Sequence, residues 1–246
     1  MAMSIDLNAD LGEGMDDALL LTFLTSANVA CGMHAGGPSL MDRTVALALE
    51  RGVRVGAHPG YADRENFGRL DVDLPLGEVE DLVLYQIGAL DGFVRARGGR
   101  LAHVKPHGAL YNRAAKEPAL ARAIARGVRR FRADLVLVGP AGSQLVAAAQ
   151  EEGLPAAGEA FADRRYLPDG ALMPRKRAGS VLTDPGEAAE QAVRIARDGF
   201  VMADGGSRVT VAARTLCLHG DTPGAARIAQ AVRQALESEG IQIAPL

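Results

Sequence analysis

The sequence predicts an α/β protein with a parallel sheet inside and helices outside. Two observations predict it. Short, β-prone apolar runs alternate with longer stretches of helical periodicity about seven times. Glycine-rich polar segments follow the ends of those apolar runs, where sites lie in parallel α/β folds.

Taken in order, the candidate strands Ser4–Asn8 and Ala27–Ala30 precede a helix over Ser39–Glu50, with Ser39 as its N-cap. Strand Arg54–Ala57 leads to helix Gly77–Arg97, and strand Ala102–Lys105 to helix Pro118–Arg130. Strand Leu135–Val138 leads to helix Gly142–Glu152. Gly52, Gly98 and Gly153 stand where helix-ending glycines belong. Strand Ala156–Ala160 is followed by Phe161–Thr183, a connection long enough to be expected to serve function. Asp184, with Pro185 next and Glu187 three residues on, starts helix Pro185–Arg197 as a capping box. Strand Thr215–Leu218 and helix Gly224–Glu239 complete the pattern. A closed barrel and an open doubly wound sheet both fit. No linker or low-complexity tract divides the chain, so one domain over 1–246 is expected.

Composition narrows the function. The 246 residues are 48% hydrophobic and 23% charged, ordinary for a globular protein and against disorder. Net charge is −3, so there is no electrostatic case for nucleic acid; Arg175-Lys176-Arg177 is too short a basic run to make one. No apolar stretch of about 18 residues exists, and Met1–Asp6 lacks the basic-then-apolar pattern of a leader, so no membrane and a cytoplasmic location are expected. Two widely spaced cysteines, Cys31 and Cys217, are poor evidence for a disulfide.

The chemistry-bearing residues fall at strand ends. Asn8, Asp10 and Glu13 follow the first strand, His34 the second and His58 the third; Lys105 and His107 follow the fourth. Asp163, Arg164 and Arg165 follow the sixth, and His219 the last. One such histidine would read as a capped or core imidazole, as His103 inside the fourth strand does. Four on one rim read as a shared site for acid–base work near neutral pH. Lys105, Arg164 and Arg165 suit a carboxylate or phosphate, against the plainer reading of ion pairs with Asp163 or its neighbours. Aspartate and histidine on a rim are compatible with zinc, but the signal in the sequence is weak, so no protein-held metal is expected. Cys31 reads as a buried apolar residue rather than a nucleophile. No P-loop, Gly-x-Gly-x-x-Gly or Gly-x-Ser-x-Gly motif is present.

Six segments together resemble the LamB/YcsF family: Asp6–Gly14, Ser26–Gly36, Gly56–Pro59 with Phe67-Gly68-Arg69, Val104–Asn112, Glu159–Arg175 and His219–Pro223. The resemblance runs in order from about Ser4 to the last helix. It implies a distorted seven-stranded β/α barrel similar to glycoside hydrolases and polysaccharide deacetylases. It also implies ATP-dependent opening of a cyclic amide, 5-oxo-L-proline, to L-glutamate together with two partner subunits, B and C. The chain departs from the family pattern at a shortened turn, Gly14-Met15-Asp16-Asp17, at Gly37 where Asp is usual, and at Gly60 where Ser is usual.

On that basis Asp10, His34, His58, Lys105, His107 and His219 are the expected catalytic residues. His58 or His107, oriented by Asp10, would activate water; His34 or His219 would protonate the ring nitrogen. Lys105 and Arg164 would hold a carboxylate or phosphoryl group. Asn8, Glu13, Arg69, Tyr111, Asn112, Asp163, Arg164 and Arg165 are the expected substrate-binding residues, with ATP, as Mg-ATP, the expected cofactor. Two rival readings are a metal-dependent deacetylase or amidohydrolase that needs no ATP, and a non-catalytic lactam- or carbohydrate-binding subunit. The low aromatic content, 4% with no Trp, argues against a sugar platform.

Overall fold

The computed structural model describes residues 4–246, and the leader reading of Met1–Met3 lies outside them. The chain runs β1 (Ser4–Leu11), β2 (Ser26–Ala30), α1 (Pro38–Glu50), β3 (Arg54–His58), α2 (Leu76–Ala96), β4 (Leu101–Val104) and α3 (Gly108–Ala114). It continues through α4 (Pro118–Phe131), β5 (Val136–Pro140), α5 (Gln144–Glu151), β6 (Ala156–Phe161) and α6 (Pro185–Val193). It ends with β7 (Phe200–Met202), β8 (Arg208–Thr210), β9 (Thr215–Leu218), α7 (Ala225–Ser238) and β10 (Gln242–Ile243). Strands β1 to β6 pair in sequence and β9 pairs with both β6 and β1, all parallel. This closes a seven-stranded barrel; β10 adds to the start of β1, and β7 and β8 form a separate hairpin.

Alternation in β1 sets the inside and outside. Leu7, Ala9 and Leu11 join the apolar core. Asp6, Asn8 and Asp10 point the other way and reach partners on β2, β6 and β9 or beyond β4. Barrel interiors are ordinarily filled by branched apolar side chains. Here the axis is polar, and its members hydrogen-bond to one another, with His103 Nδ1 left without a partner. Thr25, Ser26 and Thr215 hydroxyls donate to Asp6, whose burial raises its carboxyl above the ordinary value despite them. Above it, Asn8 donates to Glu159 at 3.0 Å and to Thr215, and accepts from Asn28 at 2.7 Å. Asn28 in turn accepts from His103 Nε2 at 2.8 Å. His103 is thus a hydrogen-bonded residue of the barrel interior, and burial lowers its pKa to about 3.

Most element boundaries move by a few residues from those expected. The larger differences have local causes. Helix α1 starts at Pro38 with Gly37 as its cap, so Ser39 lies inside the helix and is not the expected N-cap. Asp184 does cap α6, accepting from Glu187 N at 2.9 Å. That helix closes through a π turn over Arg194–Asp198, ended by Gly199 at φ +70°. Helix α3, with seven residues, is too short to show a 3.6-residue period, and the strands of the β7–β8 hairpin are three residues each.

Gly56 in β3 shows how the polar axis constrains the strands. A Cβ there would lie 2.1 Å from His103 Nε2. Gly56→Ala should therefore cost about 1–3 kcal/mol of stability by overpacking. In a His103→Ala background the cost should fall sharply. Urea unfolding of the four variants checks this as a double-mutant cycle.

Candidate active site

A cavity of about 780 Å³ opens at the C-terminal end of the barrel. It is walled by the strand ends, by α3 and by the long connection after β6, including Tyr166 and Asp169–Arg175. That connection is folded tightly. Arg164 donates to the carbonyls of Met173 (2.5 Å) and Ser180 (3.3 Å), and Gln191 donates to those of Phe161, Ala162 and Arg164.

On one arc of the rim, four consecutive strand ends deliver Glu13, His34, His58 and His107. His58 Nδ1 lies 2.7 Å from the Lys105 carbonyl, and His107 Nε2 lies 2.8 Å from the Phe67 carbonyl. A carbonyl only accepts, so each ring's outer nitrogen carries a proton and donates it. Phe67 holds its carbonyl there with φ +58°, the one non-glycine residue with positive φ among the described residues. Such backbone costs of order 1–3 kcal/mol and persists where the surroundings enforce it. The inner nitrogens, His58 Nε2 and His107 Nδ1, face each other at 3.0 Å. His34 stacks on His107 with ring centroids 3.7 Å apart, its Nε2 lying 3.1 Å from Glu13 Oε1. Its Nδ1 is buried without a partner.

The charges follow. Burial opposes the His58 cation, but Asp10, with Oδ2 3.3 Å from Nε2, and Glu13 hold its pKa above the ordinary value. Burial, and then the charge on His58, push His34 down to about 3 and His107 to about 2. Burial, with Asp10 and Asp221 adding, pushes Glu13 up to about 7 against the pull of His58. Glu13, His34, His58 and His107 each offer one donor atom, all within 4.8 Å of one another, and are the side chains on this rim able to hold a metal.

Beside this arc, the Lys105 ammonium sits 2.9 Å from Asp10 Oδ1 and 2.9 Å from Glu159 Oε1, with Cys217 Sγ at 3.2 Å. Burial works against its charge, but those carboxylates hold its pKa well above the ordinary value. Tyr111 Oη donates to Glu159 Oε2 at 2.5 Å. Opposite, Asp163 takes His219 Nδ1 at 2.8 Å and His219 N at 2.9 Å, which leaves His219 Nε2 for the cavity. At the mouth, Asp221 joins Arg175 (2.6 Å) and Arg69 (3.5 Å).

Asp10, Glu13, His58, Arg69, Lys105, His107, Tyr111, Asn112, Arg164 and His219 all line the cavity. Four expected positions do not. Asn8 is buried beneath it, Asp163 lies behind His219, and His34 is packed behind His107. Arg165 points outward to Glu187, because its neighbour Arg164 takes the inward position. The roles expected of Lys105 and Arg164 also change. The Lys105 ammonium is held by Asp10 and Glu159 and presents no free cation to a substrate anion, and Arg164 spends Nε and Nη2 on the carbonyls of Ser180 and Met173. Sequence reasoning passed over Glu159, Arg175 and Asp221. Glu159 sits near the end of β6, one inward step before Phe161, and the strand-end rule applied two residues earlier would have found it. Cys31 is buried and its thiol is pushed up to about 12, which suits no nucleophile.

A closed parallel barrel with paired carboxylates and imidazoles at its C-terminal rim defines a β/α-barrel protein of the hydrolase-related class. The chain belongs to the LamB/YcsF family, whose model matches residues 5–246. It is 54% identical to the A subunit of 5-oxoprolinase from Methylococcus capsulatus, covering 100% of this chain and 97% of that protein. It is 51% identical to the corresponding 5-oxoprolinase chain of Streptomyces avermitilis, with 98% of each covered. Among solved structures, the lactam utilization protein from Thermus thermophilus superposes with a TM-score of 0.94 at 45% identity, over 99% of this chain and 100% of that one. A T48 deacetylase, at 14% identity and a TM-score of 0.53 over 99% of this chain and 88% of that one, shares the fold alone. No helix among the described residues is long and apolar enough to cross a membrane.

Removing the ammonium while leaving both carboxylates buried should be costly. Lys105→Met is expected to lower stability by about 3–5 kcal/mol, read as a lower urea midpoint. An unchanged midpoint would show that Asp10 and Glu159 do not depend on Lys105.

Proposed function

We propose that this chain is the A subunit of an ATP-dependent 5-oxoprolinase. With subunits B and C it opens 5-oxo-L-proline to L-glutamate at the expense of ATP. The names of its relatives support the reading. The observation that carries it is the opposition, across one cavity, of two differently backed imidazole groups: His58 and His107 beside Asp10, and His219 on Asp163.

The chemical problem is a five-membered lactam whose amide resonance makes its carbonyl a poor electrophile. Transfer of the γ-phosphoryl group of Mg-ATP to the amide oxygen gives an imidate phosphate and ADP. Water then adds to that carbon and passes a proton to the site. The ring nitrogen takes a proton as its bond to carbon breaks, leaving γ-glutamyl phosphate. A second water releases glutamate and phosphate.

In the neutral form of its ring, His58 Nε2 is placed to take the proton from water, packed against His107 and with Asp10 stabilising the cation that results. As the imidazolium, His219 gives its Nε2 proton to the ring nitrogen, while Asp163 accepts from Nδ1–H and stabilises that cation. Arg69 and Arg175, whose carboxylate partner at the mouth is Asp221, are the cations able to exchange that partner for the substrate carboxylate. Lys105 positions Asp10 and Glu159. Cytoplasmic action fits a reaction that consumes ATP.

The test is glutamate release from 5-oxoproline by the purified chain, alone and with B and C, with ATP present or omitted. Glutamate formed only with all three proteins and ATP is the expected result. Glutamate released without nucleotide would favour the metal-dependent amidohydrolase reading. In the complete system, His107→Ala and His219→Ala should each reduce turnover at least about a hundredfold. A near-normal rate in either variant removes that residue from the mechanism.

A further inference from the structure

The facing inner nitrogens of His58 and His107 need an explanation. Both rings donate outward to backbone carbonyls, so in their neutral forms both inner nitrogens present lone pairs, 3.0 Å apart in a buried place. Two lone pairs at that distance repel unless something positive lies between them. A proton on His58 would satisfy that one contact. It would leave Glu13 Oε1 still gathered with the same atoms, 3.1 Å from His34 Nε2, 3.4 Å from His107 Nδ1 and 3.9 Å from His58 Nε2. Four donors converging on one point are what a cation satisfies.

We propose that Glu13, His58 and His107, with His34 as the fourth donor, form a binding site for a divalent transition-metal ion of the zinc class. Bond lengths of about 2.0–2.1 Å in a tetrahedral zinc site place neighbouring donors about 3.3 Å apart. The four separations above, from 3.0 to 3.9 Å, bracket that value. Three imidazoles and one carboxylate suit zinc, cobalt, nickel or iron(II) rather than magnesium or calcium, which favour all-oxygen sites. The outer shell also fits: metal-bound histidines characteristically donate their other N–H to a carbonyl or carboxylate, as His58 and His107 do.

The rings of His58 and His107 stand at 87°, so one point can lie in both ring planes. His34 and His107 are parallel to within 3°, so an ion in both of their planes requires one ring to turn. His34 is the ring with no outer anchor, its Nδ1 being buried and unpartnered, so ion binding turns His34 off the stack. The site comes from four separate strand ends, which is why the sequence alone led to the expectation of no protein-held metal. The inference goes beyond the proposed reaction and competes with it for the inner nitrogens of His58 and His107, which an ion would hold as ligands; its test reads the ion and not the reaction.

The test uses the intact chain, stripped with a chelator and reloaded with Co²⁺ or Zn²⁺. Expected are one ion retained per chain after gel filtration, visible ligand-field bands for Co²⁺, and a raised melting temperature. X-ray absorption of the zinc form should show imidazole nitrogens and a carboxylate oxygen at about 2.0–2.1 Å. Glu13→Gln and His107→Ala should each weaken binding more than about tenfold, a scale reached by losing even a ligand's orienting partner. His219→Ala, which alters the histidine across the cavity, should bind normally. No retained ion, no bands and no thermal shift in the wild-type chain would overturn the site. So would binding that survives Glu13→Gln and His107→Ala but is lost in His219→Ala. Because the wild-type measurements need no variant, poor folding of a variant does not blunt the test. Because none of them reads turnover, their failure is distinct from failure of the oxoprolinase assay.

Discussion

One buried cation, the ammonium of Lys105, holds the upper half of the barrel interior together. An ammonium removed from water is tolerated only when paired and hydrogen-bonded. Here it lies between Asp10 and Glu159, and each of those carboxylates commits its second oxygen elsewhere. Asp10 turns that oxygen to His58, and Glu159 turns it to Tyr111. Through Asn8 the same network runs down the barrel to Thr215 and Asp6. The strands therefore do two jobs with one alternation. Their outward residues bury apolar surface under the helices, and their inward residues build a hydrogen-bonded polar axis that ends as the floor of the cavity.

That axis sorts the histidines. His58, beside Asp10, is held toward its charged form, while burial and that charge drive His34 and His107 toward neutrality. Environments that push like groups apart in pKa are how one site performs acid and base steps at the same pH. His219 stands outside this cluster on its own carboxylate, Asp163. The rim is thus divided between an arc suited to accepting a proton or an ion and a separate imidazole with a fixed tautomer.

Much of this was legible in the sequence. Seven strands and six of the helices could be read from period and caps, and the strand-end rule located most of the cavity wall. What periodicity cannot give is the direction in which a loop side chain turns and how many of its hydrogen bonds are already spent. Lys105 looks like a free cation in the sequence and is paired with two carboxylates in the fold, and Arg164 turns part of its guanidinium to backbone carbonyls. Arg165 looks equivalent to Arg164 and faces the opposite way. His34 reads as a rim residue and lies behind one. Glu13, His34, His58 and His107 are far apart in the chain and meet because their four strands are neighbours in the barrel. The left-handed backbone at Phe67, which fixes the His107 tautomer, has no sequence signature at all.

The dependence of the site on one buried cation is tested most directly by following the Lys105 Nζ resonance by NMR in the labelled chain as pH is raised. The ammonium should persist well above the ordinary lysine value of about 10.4, up to the pH at which the fold is lost. A Lys105 that loses its proton at or below that value while the barrel stays folded would contradict the account.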